Sequence, residues 1–375
     1  MNYYIIAGEA SGDLHGANLI KALQQQDPDA DFRCWGGDRM QAAGGTLVKH
    51  YRDLAFMGFI EVLLHLSTIL RNLSYCKEDI TAYQPDVIIF IDYPGFNLRI
   101  AKWAKAQQFK THYYISPQLW AWKENRIRAI KRDIDAMYVI LPFEKAFYEQ
   151  KHQFPVHFVG HPLIDAIADR PDIRPEVFKE AHQLDNRPVI ALLPGSRKQE
   201  IKRMLSVMLS IVDDFPDHQF VIAGAPNQDY AFYQKFIQNK NVRFIADKTY
   251  DILSIATAAL VTSGTATLEA ALFNVPEVVC YRGNWISYQI AKRIITLDYI
   301  SLVNLIMDKE VVTELIQHKY NTRTLKTALQ RLLTETYRES ILTDYNALEE
   351  TLGGRGASQQ AATLIYKNIS VQNNT

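Results

Sequence analysis

The sequence predicts an α/β protein built from two doubly wound, Rossmann-like domains, and three observations carry that expectation. Apolar strand-like runs such as Val87–Asp92 and Val189–Leu193 are continuous rather than alternating, which says that both faces of the sheet are covered. These runs alternate with helix-like stretches in two successive groups, the pattern of parallel sheets wound with helices on both sides. The chain has 375 residues, more than one hydrophobic core usually serves.

The first group holds the runs Tyr3–Ala7, Val87–Asp92, Thr111–Ile115 and Ala136–Leu141. The second holds Val189–Leu193, Phe220–Ala223, Ala259–Val261 and Val278–Tyr281. Between them Pro162, Pro171 and Pro175 punctuate a helix-poor stretch, so the expected domains are 1–165 and 166–344. No internal repeat is present, and the polar tail Gln372–Thr375 is the one low-complexity segment. Apolar content of 48% and charged content of 22% argue against long disorder. A formal net charge of zero argues against nonspecific nucleic-acid binding, and no nucleic-acid module is recognisable. Cys34, Cys76 and Cys280 are odd in number and far apart, without metal-ligand spacing, which suits a reducing compartment. The chain enters a strand almost at once, with no basic region leading into an apolar core, so no secretion signal is expected.

The chemistry is concentrated in turns that follow strands. Leu192-Leu193-Pro194-Gly195-Ser196-Arg197 and Thr262-Ser263-Gly264-Thr265-Ala266-Thr267-Leu268-Glu269 each leave an apolar run and open into a helix-like segment. Open α/β sheets bind ligands at the carboxyl ends of their strands. Small residues let backbone N–H groups approach a phosphate, and a helix start favours negative charge. Arg197 adds a guanidinium able to fork onto a pyrophosphate, a contact worth roughly 1.5–3 kcal/mol. Glu269, one helical turn on, is placed to accept both hydroxyls of a ribose. Together they read as a nucleotide-diphosphate site, whereas either turn alone reads as a glycine turn for tight packing.

The N-terminal half carries Gly8-Glu9-Ala10-Ser11-Gly12-Asp13-Leu14-His15-Gly16, then Ile91-Asp92-Tyr93-Pro94-Gly95-Phe96-Asn97 and Ser116-Pro117-Gln118-Leu119-Trp120-Ala121-Trp122. Leu141-Pro142-Phe143-Glu144 and Gly160-His161-Pro162 follow. In this order, with the Pro-Gly-Ser-Arg and Ser-Gly-Thr segments behind them, the chain resembles the lipid-A-disaccharide synthase family from Gly8 to Leu352-Gly353-Gly354-Arg355-Gly356-Ala357-Ser358.

That resemblance implies a glycosyltransferase of the two-Rossmann GT-B type, with its active site in the interdomain cleft. It also implies last helices (345–368) that cross back to complete the first domain. The implied partners are a UDP-sugar donor and an acylated sugar-phosphate acceptor, with UDP-2,3-diacylglucosamine and 2,3-diacylglucosamine 1-phosphate as the substrates. The implied location is cytoplasmic, peripheral on the inner face of the inner membrane. Family members also form dimers through their C-terminal segments; here Ser340–Asn368 either supports a homodimer or closes the monomer.

Asp92 ends an apolar strand, so its carboxylate emerges at the sheet's carboxyl edge as a candidate base. On position alone a capping role in the Tyr93-Pro94-Gly95 turn is equally good, and the match to the family's strand-end aspartate decides for the base. Relatives often carry Asp where this chain has Gly95, so no second carboxylate is available there. On the acceptor side stand Glu9, Ser11, Asp13 and His15; helix capping is the stronger reading for Asp13, and a structural histidine is an equal reading for His15. On the donor side, Arg197 and Glu269 match positions that contact the nucleotide. Ser263, Gly264 and Thr265 are expected to contact the diphosphate, Tyr281 and Arg282 end another strand at the same edge, and Asn304 matches a site-lining position. Relatives often have Pro where Val303 stands. No Asp-x-Asp pair ends a strand, so neither a metal nor another cofactor is expected.

The segment Leu54–Leu70 is 17 residues long and interrupted by Glu61, short of the roughly 20 residues that span a bilayer. Its helical wheel is apolar nearly all round, with Phe59, Val62 and Leu66 on one side and Met57 and Ile60 on another. Alone it reads as a core helix. With the resemblance it reads as a dual element that packs on the first sheet and offers Met57, Phe59, Ile60, Val62, Leu63 and Leu66 to acyl chains or bilayer. Trp120 and Trp122 precede the cations Lys123, Arg126, Arg128, Lys131 and Arg132. This pairing suits a membrane interface or an acceptor phosphate, although any one of these lysines alone reads as solvated surface. Two competing readings are another UDP-sugar enzyme of the same fold (an epimerase or a peptidoglycan-type transferase) and a non-catalytic membrane-surface binding protein.

Overall fold

The structure is a computed structural model and describes residues 1–54, 66–225, 228–237, 240–283 and 298–373. The chain divides into two compact units, residues 1–166 with 352–375 and residues 167–351.

The first unit begins β1 (Asn2–Ala7), α1 (Ala10–Gln26), β2 (Asp31–Gly36), α2 (Asp38–Ala42) and β3 (Thr46–His50). It continues α3 (Leu66–Tyr83), β4 (Val87–Ile91), α4 (Pro94–Ala106), β5 (Thr111–Tyr114), α5 (Ile127–Asp133), β6 (Ala136–Val139), α6 (Pro142–Ala146), β7 (His157–Phe158) and α7 (Pro162–Ala168). The strands form one seven-stranded parallel sheet in the order β3-β2-β1-β4-β5-β6-β7. Every residue of β4 and β5 is buried, as expected of strands covered on both faces. On one face Trp35, Phe90, Phe96, Ile100, Tyr113 and Met137 pack into a single cluster. Each such large side chain contributes roughly 1.5–3 kcal/mol by leaving water.

The second unit contains α8 (Pro175–Ala181), β8 (Val189–Leu193), α9 (Lys198–Leu209), β9 (Gln219–Gly224), α10 (Tyr230–Ile237), β10 (Val242–Ala246), α11 (Thr249–Ile255) and β11 (Ala256–Thr262). It goes on through α12 (Thr265–Leu272), β12 (Glu277–Tyr281), α13 (Leu302–Met307), β13 (Thr313–Ile316), α14 (Thr322–Leu332) and α15 (Glu335–Thr351). Its six-stranded parallel sheet has the order β10-β9-β8-β11-β12-β13. The last helix, α16 (Ala357–Asn373), belongs to the first unit, where it packs along α1. Residues 345–351, read from the sequence as part of that return, lie instead in the second unit with Tyr345 and Leu348 buried.

Both sheets reverse their winding direction between the first strand and the fourth, at β1/β4 and at β8/β11. In such sheets the loops at the carboxyl ends of those two strands diverge and leave a crevice.

Candidate active site

In the first unit, the crevice at β1/β4 is framed by Gly8–Glu9 and by Asp92–Tyr93. Asp92 and Tyr93 are both left-handed, with φ of +41° and +50°. Two successive non-glycine residues in that region cost about 1–2 kcal/mol each, so the surroundings must hold them. They do: Tyr113 Oη donates to the Asp92 carbonyl at 2.6 Å and Asn97 Nδ2 donates to the same oxygen at 2.7 Å. The Asp92 N–H donates to the Ile115 carbonyl at 3.2 Å. The ring of Tyr93 then lies over Gly8, where any Cβ would stand 2.3 Å from the ring, so this approach requires glycine.

Asp92 is partly buried at this strand end, immediately before Tyr93, the N-cap residue of α4. Burial, and then the neighbouring Glu9 carboxylate, push the Asp92 carboxyl up to about 6, with the Tyr93 N–H offsetting part of the rise. Gly95 is exposed, and nothing lies within 4 Å of where its Cβ would be. Glu9 is the N-cap residue of α1 and makes no cap hydrogen bond with its side chain. Ser11 is exposed on the first turn of α1.

Asp13 and His15 are both buried. Asp13 is 3% exposed, and its carboxylate accepts N–H bonds from Gly37 at 2.7 Å, Met40 at 3.1 Å and Arg39 at 3.2 Å. It therefore caps a helix, but α2 rather than its own, and its carboxylate is engaged there. His15 is buried, and burial beside Arg39 lowers it to about 4, so its ring is neutral. Its Nδ1 has no partner.

Behind Asp92 lies a group that the motif reading quoted without assigning. Glu144 is fully buried and gathers Ser116 Oγ at 2.6 Å, Trp120 Nε1 at 3.3 Å, and the N–H groups of Leu141 at 3.0 Å and Ile140 at 3.2 Å. Burial, opposed by those four donors, pushes its carboxyl up to about 7. Trp122 stands at the surface, 50% exposed, with Lys123 Nζ 4.2 Å and the Arg126 guanidinium carbon 5.9 Å from its ring centre. Arg132 forks onto Asp133 at 2.6 Å through both nitrogens, which removes it from the open cations; Arg128 and Lys131 are exposed.

Met57, Phe59, Ile60, Val62 and Leu63 lie outside the described residues, and Leu66 is described only as the first residue of α3. Among the described residues no helix is long and apolar enough to cross a membrane, and no three His, Cys, Asp or Glu side chains cluster as metal ligands.

In the second unit the two turns singled out from sequence follow β8 and β11, the strands that flank its crevice. Gly195 has φ +105°, and a Cβ there would meet Glu200 Oε2 at 2.8 Å. Its absence lets the Glu200 carboxylate reach back to the Arg197 N–H at 3.3 Å, closing the start of α9. The Arg197 side chain is 64% exposed, with Nη1 3.6 Å from Glu200 Oε1. Gly264 has φ +155° with nothing within 4 Å of its Cβ position, so the start of α12 opens onto free space. Its N-cap residue is Gly264, so no side chain caps it, and the Thr267 N–H donates to the Gly264 carbonyl at 3.2 Å. Thr265 is exposed on this turn. The Ser263 hydroxyl is engaged, donating to the Ile300 carbonyl at 2.9 Å.

Glu269 lies in α12 just below. Burial raises its carboxyl, and Tyr250 Oη, donating to Oε1 at 2.9 Å, opposes the rise. Tyr250 was missed from sequence because it precedes Glu269 by 19 residues in another helix. Tyr281 is 37% exposed at the end of β12. Arg282 folds back onto Tyr320, donating to its carbonyl and lying 5.6 Å from its ring centre.

Asn304 does not line the opening. It is 0% exposed, and its Oδ1 accepts from the N–H groups of Val311 at 2.8 Å and Val312 at 2.9 Å. Its Nδ2 donates to the Val312 carbonyl and to Glu314 Oε1, both at 2.9 Å. Glu314 also accepts the N–H groups of Ile300 and Ser301 at 2.9 Å, so Asn304 braces the loop to which Ser263 is tied.

A family model described as lipid-A-disaccharide synthetase matches residues 3–367. The chain is 38% identical over 373 residues to the lipid-A-disaccharide synthase of Geobacter metallireducens, covering 97% of this chain and 96% of that one. It is 39% identical over 376 residues to the lipid-A-disaccharide synthase of Syntrophus aciditrophicus, covering 97% and 98%. Among solved structures, the UDP-GlcNAc 2-epimerase of Neisseria meningitidis bound to UDP-GlcNAc superposes with a TM-score of 0.69 at 14% identity, covering 98% of this chain and 99% of that one. That likeness shows the shared fold.

Proposed function

The chain belongs to the lipid-A-disaccharide synthetase family and is accordingly a disaccharide-forming glycosyltransferase; we propose that its donor is UDP-2,3-diacylglucosamine and its acceptor 2,3-diacylglucosamine 1-phosphate. The observation that carries the assignment of roles is the position of Asp92: at a sheet reversal, in a held strained turn, with a carboxyl near neutrality.

In the proposed reaction Asp92 takes the proton from the acceptor 6-hydroxyl as that oxygen attacks the anomeric carbon of the donor. The bond from that carbon to the diphosphate breaks, its electron pair leaves with UDP, and the configuration inverts to a β-1,6 link. General-base help of this kind contributes typically 10²–10⁴-fold. Glu9 and Ser11 orient the acceptor. Arg197 and the N–H groups at the Gly264–Thr265 turn stabilise the departing diphosphate, and Glu269 holds the ribose. Trp122 with Lys123 and Arg126 meets the headgroup region of the inner membrane surface, where the acylated substrates reside.

The test is UDP release from UDP-2,3-diacylglucosamine in detergent with EDTA, with and without the acceptor. Acceptor-dependent release, lost in Asp92→Ala, is the expected result. Release without acceptor would mean hydrolysis, and full activity of Asp92→Ala would remove Asp92 as base.

A further inference from the structure

The two oxygens of Glu144 serve different loops. Oε1 takes the Ser116 hydroxyl and the Trp120 indole N–H from the segment after β5, while Oε2 takes the Ile140 and Leu141 N–H groups at the end of β6. One buried carboxylate therefore joins two adjacent strand-end loops. Tyr148 Oη adds a donor to Ser116 Oγ at 3.3 Å, and Phe143 meets the Trp120 ring edge-on at 4.8 Å.

The residue before Ser116 is Ile115, a β-branched residue at φ +63°. Such a conformation persists only where its neighbours enforce it. Its N–H is tied to the Tyr138 carbonyl at 3.1 Å on one side, and Ser116 is tied to Glu144 on the other. The carbonyl this turn presents is the acceptor for the Asp92 N–H.

We propose that Glu144 is a positioning residue for glycosyl transfer, which by clamping Ser116 and Trp120 fixes both the Ile115 carbonyl that carries Asp92 and the Trp120–Trp122 segment. The proposal rests on Asp92 being the base. Glu144 is 1% exposed and does not itself meet substrate. A glutamine of the same shape breaks the clamp, because its NH₂ cannot accept and one pair of donors loses its partner. The Ile115 turn is then free to relax, and a displacement of the base by about 1 Å costs on the order of 100-fold in rate.

The experiment uses the full chain and compares Glu144→Gln, Ser116→Ala and the double variant. It measures kcat, KM, UDP affinity by calorimetry, and amide exchange at 92–93 and 116–122 by mass spectrometry. The expected result for Glu144→Gln is a kcat about 100-fold lower, UDP affinity within about twofold of the wild type because the change lowers rate rather than donor binding, and faster exchange in both segments. Ser116→Ala cuts the same link from its other end and lowers kcat in the same direction; it keeps the test open if the glutamine variant fails to fold. The double variant loses no more than the worse single one, as expected for two ends of one link.

A Glu144→Gln enzyme with near wild-type kcat and unchanged exchange overturns the proposal, as do single losses that multiply in the double variant. Absence of acceptor-dependent release in the wild type would overturn the assigned reaction instead. Exchange would still decide the clamp, and unchanged exchange in the variants would refute it.

Discussion

The carboxyl of Asp92 is the group whose perturbation says most. Relative to an ordinary 3.8 it is pushed up to about 6, first by burial and then by Glu9. At 1.36 kcal/mol per pH unit, that rise corresponds to about 3 kcal/mol against the charged form. A base must be ionised to act, so kcat/KM should fall as pH drops through about 6. Glu9→Gln removes the smaller of the two causes, so the acid limb should move down by less than about one pH unit, whatever happens to the maximal rate.

The same shift predicts a stability effect of opposite use. A carboxyl raised in the folded state stabilises the fold fully below its unfolded value, and that stability is lost as pH rises through the folded value. At pH 7–8 the ionised Asp92 therefore costs stability, and Asp92→Asn, which also tolerates a left-handed φ, should be inactive yet more stable by roughly 1–3 kcal/mol after allowance for solvent at the crevice. The assays are a pH–rate profile and chemical denaturation at pH 5 and pH 8. An acid limb that stays put or moves up in Glu9→Gln would refute the electrostatic account. A destabilised Asp92→Asn would refute the account of Asp92 as a strained site held for function.

Other expectations follow from single contacts. Asp13→Ala leaves three N–H groups at the start of α2 without their acceptor and should lower stability by about 1–3 kcal/mol, while UDP affinity measured by calorimetry stays unchanged. Tyr250→Phe removes the donor that opposes the rise in Glu269, so UDP affinity measured by calorimetry should fall about tenfold. Glu277, fully buried with neither oxygen partnered, is raised well above the ordinary carboxylate range by burial and by Glu314. Its raised value means stability is lost as pH climbs, so Glu277→Met should raise the melting temperature at pH 8 more than at pH 5.

Strands, turns and their sequence of use were legible because they are written in local patterns. Continuous apolarity marked β4 and β8, and small residues after them marked the turns that frame each crevice, within a handful of residues. The sheet reversals were not legible, because the order of strands depends on pairings between residues such as Tyr3 and Val87. The structure puts Glu9, Asp92 and Arg197 in the turns after β1, β4 and β8, and Glu269 in α12, because each follows its strand closely in the chain. Motif matching named Asp13 and Asn304 on the site, whereas both side chains are taken up by backbone groups of other segments, and it passed over Glu144 and Tyr250, whose partners lie far off in the chain.

The sequence by itself determined the two α/β domains, the family and the turns where ligands would meet backbone, since periodicity, glycine conformational freedom and strand-end position are local properties. Tertiary structure alone decided which polar side chains remain available. A carboxylate such as Asp13 and an amide such as Asn304 satisfy distant backbone groups when buried, because leaving those groups unpaired would cost more than the ligand contact could return. At Asp92, by contrast, Tyr113, Asn97 and Ile115 engage the backbone and not the carboxylate.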